Sequence, residues 1–281
     1  MNTLTMDLVL SKVNALPSLP ALVLELLASI DQEDSNADAL ADKLSQDQAL
    51  TAKTLRLANS SFYGMPHQVT SMQQSIAILG FRTIRSLATT AALIGAFPSA
   101  AGAGFDMGGF WRHAYATALF ARELAPTLQV NPEQAYTAGL LHDIGLLVLV
   151  TQFTDHFAAV LAFQSQADQT PLLEAERATL GLDHARIGHA LTSHWKFPEA
   201  LQHAVTDHHQ PAAPDEPALI SLVRCAVALA VAISPAMDAA QPVPTEVLGI
   251  CQAIGLDPAA SEALVAKVKH HYEAASLLLA A

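Results

Sequence analysis

The chain has 281 residues, 52% hydrophobic and only 14% charged, so it is long enough for one large domain or two small ones, with helices buried on more than one side. A net charge of −12 with no cluster of lysine or arginine speaks against nucleic acid, whose binders need a basic surface to neutralise phosphates, and against an anionic membrane. The N-terminus lacks a basic region followed by an apolar core, and the longest apolar stretch, Ala218 to Ile233, contains Arg224 and falls short of the ~20 residues of a membrane span.

Helical spacing dominates from the start. Leu22, Leu26 and Ile30 lie four apart, Leu50, Thr54 and Leu57 continue the pattern, and Ile76, Leu79, Ile84 and Leu87 follow it with a break at Gly80. Ser71 with Gln74 predicts a capping box. Asn131, Pro132 and Gln134 predict an N-cap, a first-turn proline and a third-position partner. Asp183 is expected to cap the next helix, and Asp257-Pro258 repeats the theme near the end. No alternating strand pattern bounded by hairpin turns occurs. The expectation is an all-α protein of roughly a dozen helices or more with short loops.

Residues 97–104, small and uncharged, read as a connector between an N-terminal helical half (1–98) and a histidine-containing half (105–235). Residues 211–217, with three prolines, separate the last histidine-rich helix from the helices that follow, and 241–244 form a shorter turn. A C-terminal group spans 236–281. Cys225 and Cys251 sit in apolar surroundings and read as buried free thiols of a reducing compartment, so the expected location is the cytoplasm.

The polar pair His142-Asp143 interrupts an otherwise apolar helical run, and such groups are costly to bury without a partner. Nine of the twelve histidines fall between His113 and His209. Alone, each is more often a surface or core residue than a ligand. His142 is less ordinary, because Gly139 and Gly145 stand three residues before and after it and would share its face of a helix. Interior glycine costs about 1 kcal/mol against alanine. Two glycines there imply that a helix, a metal with its other ligands, or a substrate approaches closely. Asp143 would point about 100° away on the same helix.

His208 and His209 close a helix before Pro211, and His184 follows a capping aspartate. At a helix start the neutral, metal-binding imidazole is favoured. His113 gains weight through this company. His189, His194 and His203 read as structural, and His67, His156, His270 and His271 lie outside the argument. Several imidazoles with one carboxylate suit iron, manganese, nickel or zinc better than magnesium or calcium.

These residues resemble a known family. His113 followed by His142-Asp143 is similar to the opening of the HD superfamily of metal-dependent phosphohydrolases. Leu16-Pro17-Ser18-Leu19-Pro20, the run from Asp47 to Gly64 and Ser75-Ile76-Ala77-Ile78-Leu79-Gly80 resemble the HDOD domain, the HD-related output domain of bacterial signalling proteins. Gly139 to Gly145, Asp183 to Gly188, Trp195-Lys196-Phe197-Pro198 and His208-His209-Gln210-Pro211 extend the resemblance over about residues 10 to 235.

The resemblance implies a multi-helix bundle and, by similarity to HD-GYP enzymes acting on cyclic dinucleotides, metal-ligand roles for His113, His142, Asp143, His184, His208 and His209. It also exposes departures. Leu146 stands where those enzymes have a lysine, Gly109 and Gln210 where they have carboxylates, and Val227 where the terminal aspartate is expected. Hydrolysis needs a metal and, usually, carboxylates that balance charge and move protons.

The implied function is a non-catalytic regulatory module, acting through signalling partners or through a ligand such as a nucleotide in a degenerate pocket. The alternatives are a metal-dependent phosphohydrolase of nucleotides or cyclic dinucleotides, and a metal-binding module without catalysis. In the N-terminal half, Leu55, Leu57, Ala58, Phe62 and Tyr63 read first as packing and second as an output surface. The oligomeric state stays open.

Overall fold

Helices begin where the expected caps meet apolar spacing. In the computed structural model, which describes residues 3–16, 21–28, 37–59, 67–97, 104–166, 170–233 and 243–279, these are α1 (Met6–Asn14), α2 (Ala21–Ala28), α3 (Ala37–Gln46), α4 (Gln48–Ala58), α5 (Met72–Leu79), α6 (Phe81–Ala96), α7 (Met107–Leu124) and α8 (Pro132–Leu141). They continue as α9 (Ile144–Gln152), α10 (Thr154–Gln166), α11 (Leu172–Leu180), α12 (His184–His194), α13 (Glu199–Asp207), α14 (Ala218–Ala232), α15 (Thr245–Ala253) and α16 (Pro258–Leu279). The all-α class follows as expected: no strand occurs among the described residues.

The caps work as local chemistry requires. Ser71 Oγ accepts from Gln74 N at 3.1 Å, while the Gln74 side chain reaches back to Thr70 N, one residue before the N-cap. Asn131 Oδ1 accepts from Glu133 N and Gln134 N, Asp183 Oδ1 from Arg186 N, and Asp257 Oδ1 from Ala260 N. Gly80, at φ 81°, takes the left-handed backbone that separates α5 from α6.

α4, α5, α2 and α3 gather around α6, whereas α7 is flanked by α8, α14 and α16. α12 packs on α9 and α13, and also receives α1, whose Val9 and Val13 are buried and whose leading Leu4 N donates to Leu180 O. One contiguous set of buried apolar side chains runs from Val9 through Leu87 and Phe120 to Val268. α6 meets α8 through buried polar contacts: Ser86 Oγ donates to the Glu133 carboxylate, and Thr90 Oγ1 lies 2.7 Å from the Tyr136 hydroxyl.

The apolar run around His142 is not one helix. α8 stops at Leu141 and α9 restarts at Ile144. Taken together, 132–152 is long and apolar enough to match a membrane span, longer than the 218–233 stretch, but it is mostly buried inside the protein. In the N-terminal half Leu55 and Ala58 pack into the core, and Asn59 clasps Val69 through both its amide atoms, each bond 2.8 Å. Residues 17–20, Ser60, Phe62, Tyr63, Gly64, the connector at 98–103 and the turn at 241–242 lie outside the described residues.

Candidate metal centre

The break between α8 and α9 creates the centre. His142 keeps helical backbone angles, but Asp143 departs to φ −101° and ψ 15° and occupies the N-cap position of α9. Aspartate there usually caps its own helix. Here the carboxylate makes no capping bond and turns toward the histidines instead. The flanking glycines explain how other helices come so close. A Cβ on Gly139 would sit 2.8 Å from Thr117 O on α7, and one on Gly145 would overlap the His184 carbonyl oxygen and Gly188 N on α12. The close approach inferred at these glycines is therefore by two different helices, on two sides of the break, rather than on a single shared face.

All six residues expected from the sequence come together. α7 supplies His113, the α8–α9 junction His142 and Asp143, the start of α12 His184, and the end of α13 His208 and His209. Asp143 Oδ2 lies 3.1 Å from His142 Nε2, while Oδ1 lies 3.2 Å from His184 Nε2 and 3.3 Å from His208 Nε2. His184 Nε2 and His209 Nε2 are 3.0 Å apart, and the His113 and His142 rings meet edge to face at 5.2 Å. The donors form two groups sharing Asp143: His113, His142 and Asp143, and Asp143, His184, His208 and His209. Within each group the ligand atoms lie within 4.8 Å of one another. His189, His194 and His203, expected to be structural, join neither group.

The outer ring nitrogens are tied down. His142 Nδ1 donates to Gly139 O at 2.8 Å and His208 Nδ1 to Val205 O at 2.9 Å. His184 Nδ1 is 2.7 Å from Glu176 Oε2, which also accepts from His184 N at 2.9 Å. Such bonds fix each ring so that Nε2 faces inward, the arrangement that orients histidine ligands on a metal. Three inward atoms, His142 Nε2, His208 Nε2 and Asp143 Oδ1, are buried without a well-formed hydrogen bond. Buried polar atoms normally have partners, so this inward-facing set fits a bound cation.

Electrostatics favour an ionised Asp143 with neutral imidazoles at His113, His208 and His209. Burial would raise the Asp143 pKa, but the imidazoles packed against it, His142 first and then His184 and His208, hold it well below the usual value. Burial, reinforced by His142, lowers His113 to about 4. Burial lowers His208 despite Asp143, and burial with His208 lowers His209 to about 3. His184 is the exception: burial opposes its charge, yet the carboxylates of Asp143 and Glu176 beside it push it up to about 10.

Leu146, Gly109, Gln210 and Val227 are the positions at which the resemblance implies departures from the HD pattern. Leu146 is buried in the core, and Gly109 N donates to the Asp106 carboxylate in the first turn of α7. Gln210 is exposed and Val227 half-buried. Glu176 is the participant that sequence reasoning missed. It is fully buried, eight residues before His184. A charged residue on a face that spacing would bury was the available signal, but Glu174 beside it offered a competing candidate.

The HDOD domain family model matches residues 16–211. A protein named as a candidate phosphohydrolase from Shewanella amazonensis SB2B is 31% identical and superimposes with a TM-score of 0.79, covering 96% of this chain and 97% of that one. A protein named as a candidate signal transduction protein from Marinobacter aquaeolei VT8 shares the fold at 24% identity and a TM-score of 0.78, covering 95% of this chain and 60% of that one. An uncharacterised protein of Treponema pallidum (strain Nichols) is 28% identical over 209 residues, 73% of this chain, and the chain spans 40% of its length. The family match takes in α2 to α13 and all six residues of the centre, and this chain belongs to the HDOD domain family.

Proposed function

We propose that this chain is a regulatory module of bacterial signalling whose His/Asp centre binds a divalent transition metal, iron, manganese, nickel or zinc, without hydrolysing a substrate. His113, His142, Asp143, His184, His208 and His209 are its ligands. Its output passes through protein partners, with a nucleotide as the ligand class that the HD resemblance implies for the pocket.

The observation that carries this reading is the donor set. Five imidazoles and one carboxylate converge, while Leu146, Gly109 and Val227 occupy the places of a lysine and two carboxylates. A bound metal supplies a Lewis acid and an acidified water. Asp143 is already engaged with three histidines, and those three replacements cannot hold or move a proton. Membership of a family of output domains and the name of the Marinobacter relative support the regulatory role.

A second reading, a metal-dependent phosphohydrolase, is favoured by the sharing of Asp143 between two donor groups and by the name of the Shewanella relative. Elemental analysis of protein purified without added metal, joined to turnover assays on nucleotides and cyclic dinucleotides with manganese or iron, decides between them. The expected result is near-stoichiometric metal that is lost in His142→Ala, with no turnover. Turnover abolished in both His142→Ala and Asp143→Ala would replace the regulatory reading with the hydrolytic one. Metal-free protein would reduce the centre to a hydrogen-bonded core.

A further inference from the structure

The chain has only two cysteines, and the fold puts them against each other. Cys225 lies on α14 and Cys251 on α15, 26 residues apart, with both side chains fully buried and their sulfurs 3.2 Å apart. Burial alone asks nothing of this kind: a cysteine behaves as a small hydrophobe, and any two small apolar side chains would fill the space. The sulfurs need to close by only about 1.2 Å to reach the ~2.05 Å of a disulfide. We propose that Cys225 and Cys251 form a reversible intramolecular disulfide that fastens α15 to α14.

The two thiols are suited to different parts of the reaction. The hydrogen bond between them lowers Cys251 to about 7 and, with burial, pushes Cys225 far up. Cys251 ionises more readily than Cys225 and is therefore the nucleophile. With a peroxide as oxidant, the Cys251 sulfur attacks one peroxide oxygen, the O–O bond breaks, and a sulfenic acid and hydroxide form. The Cys225 sulfur then attacks the Cys251 sulfur, the S–O bond breaks, and the departing hydroxide leaves as water with the Cys225 proton. The two sulfurs together lose two electrons and the peroxide gains them. α15 packs against α14 and α16 with Thr245, Glu246 and Gly249 exposed, so local opening of this helix admits a small oxidant.

The bond would act on the architecture around the centre. α14 backs α7, α8 and α13, which carry or lead into His113, His142 and His208. α16 returns to α7, where Lys267 Nζ lies 2.6 Å from Glu123 Oε2. A bond between α14 and α15 adds one covalent link to this otherwise non-covalent set of contacts around α7.

The test is treatment of the full-length protein with hydrogen peroxide, followed by intact mass measurement and peptide mapping. The expected result is the loss of two hydrogen atoms, a peptide joining Cys225 to Cys251, reversal by dithiothreitol, and a melting temperature several degrees higher when oxidised. Cys251→Ala should show none of these changes. Two thiols still free to alkylate after denaturation, a gain of oxygen without a crosslink, or a crosslink between chains would each overturn the proposal. Because the wild-type mass decides the matter, the result does not depend on the variant folding.

Discussion

Glu176 shows how one buried side chain can govern a centre it does not enter. One of its oxygens accepts from both the backbone and the ring of His184, which fixes the direction of Nε2. Glu176→Gln retains an acceptor but removes the charge. Metal affinity, measured by competition with a chromophoric chelator, should fall roughly 10–100-fold, the usual cost of changing such a supporting residue. Stability of the metal-free protein should depend on pH in a defined way. His184 is raised to about 10, so its contribution is complete below the unfolded value near 6.5 and is lost as pH rises toward 10. His113 is lowered to about 4, so its contribution is present above that unfolded value and is lost as pH falls from it toward 4. His209 acts in the same direction but is more exposed and counts for less. Urea denaturation of metal-free protein should therefore show a maximum near pH 6.5, and a monotonic rise to pH 9 would contradict these assignments. Metal binding displaces the His184 proton, so affinity should increase with pH across the same window.

At the scale of elements, the junction between α8 and α9 depends on close helix approach. Gly145→Ala places a methyl group against backbone atoms of α12, which cannot move aside as a flexible side chain would. Overpacking of this kind costs typically 1–3 kcal/mol. Because His184 begins α12, metal content should fall as well. Gly139→Ala meets α7 at 2.8 Å and should be milder. Gly249, in exposed α15 with nothing near its missing Cβ, is the control: Gly249→Ala should stabilise by about 0.5–1 kcal/mol in the same denaturation measurement. The sequence marked both glycines beside His142 but treated 136–147 as one helix. Helical periodicity carries on through a two-residue break, so spacing alone could not reveal that the two glycines face different neighbours.

For the whole molecule, the continuous core and the α6–α8 contact join the two halves. Thr90 and Tyr136 meet across it at 2.7 Å, and Tyr136→Phe should cost about 1 kcal/mol, because Thr90 keeps its bond to Ser86 O. Calorimetry of the wild-type protein should give one cooperative transition; two well-separated transitions would mean that the halves fold independently. α1 strengthens this expectation, since it precedes the N-terminal group in sequence yet rests on α12 in the histidine half.

By itself the sequence determined the all-α class, the caps at Ser71, Asn131, Asp183 and Asp257, and the six residues from His113 to His209. Caps and periodicity are local properties, set within about one helical turn, and the ordered motifs around the histidines carry their own signature. Tertiary structure decided the rest: Asp143 shared between two donor groups, Glu176 behind His184, and the contact of Cys225 with Cys251. Each depends on how helices approach across the core, and residues 8, 26 or more positions apart meet there only through packing.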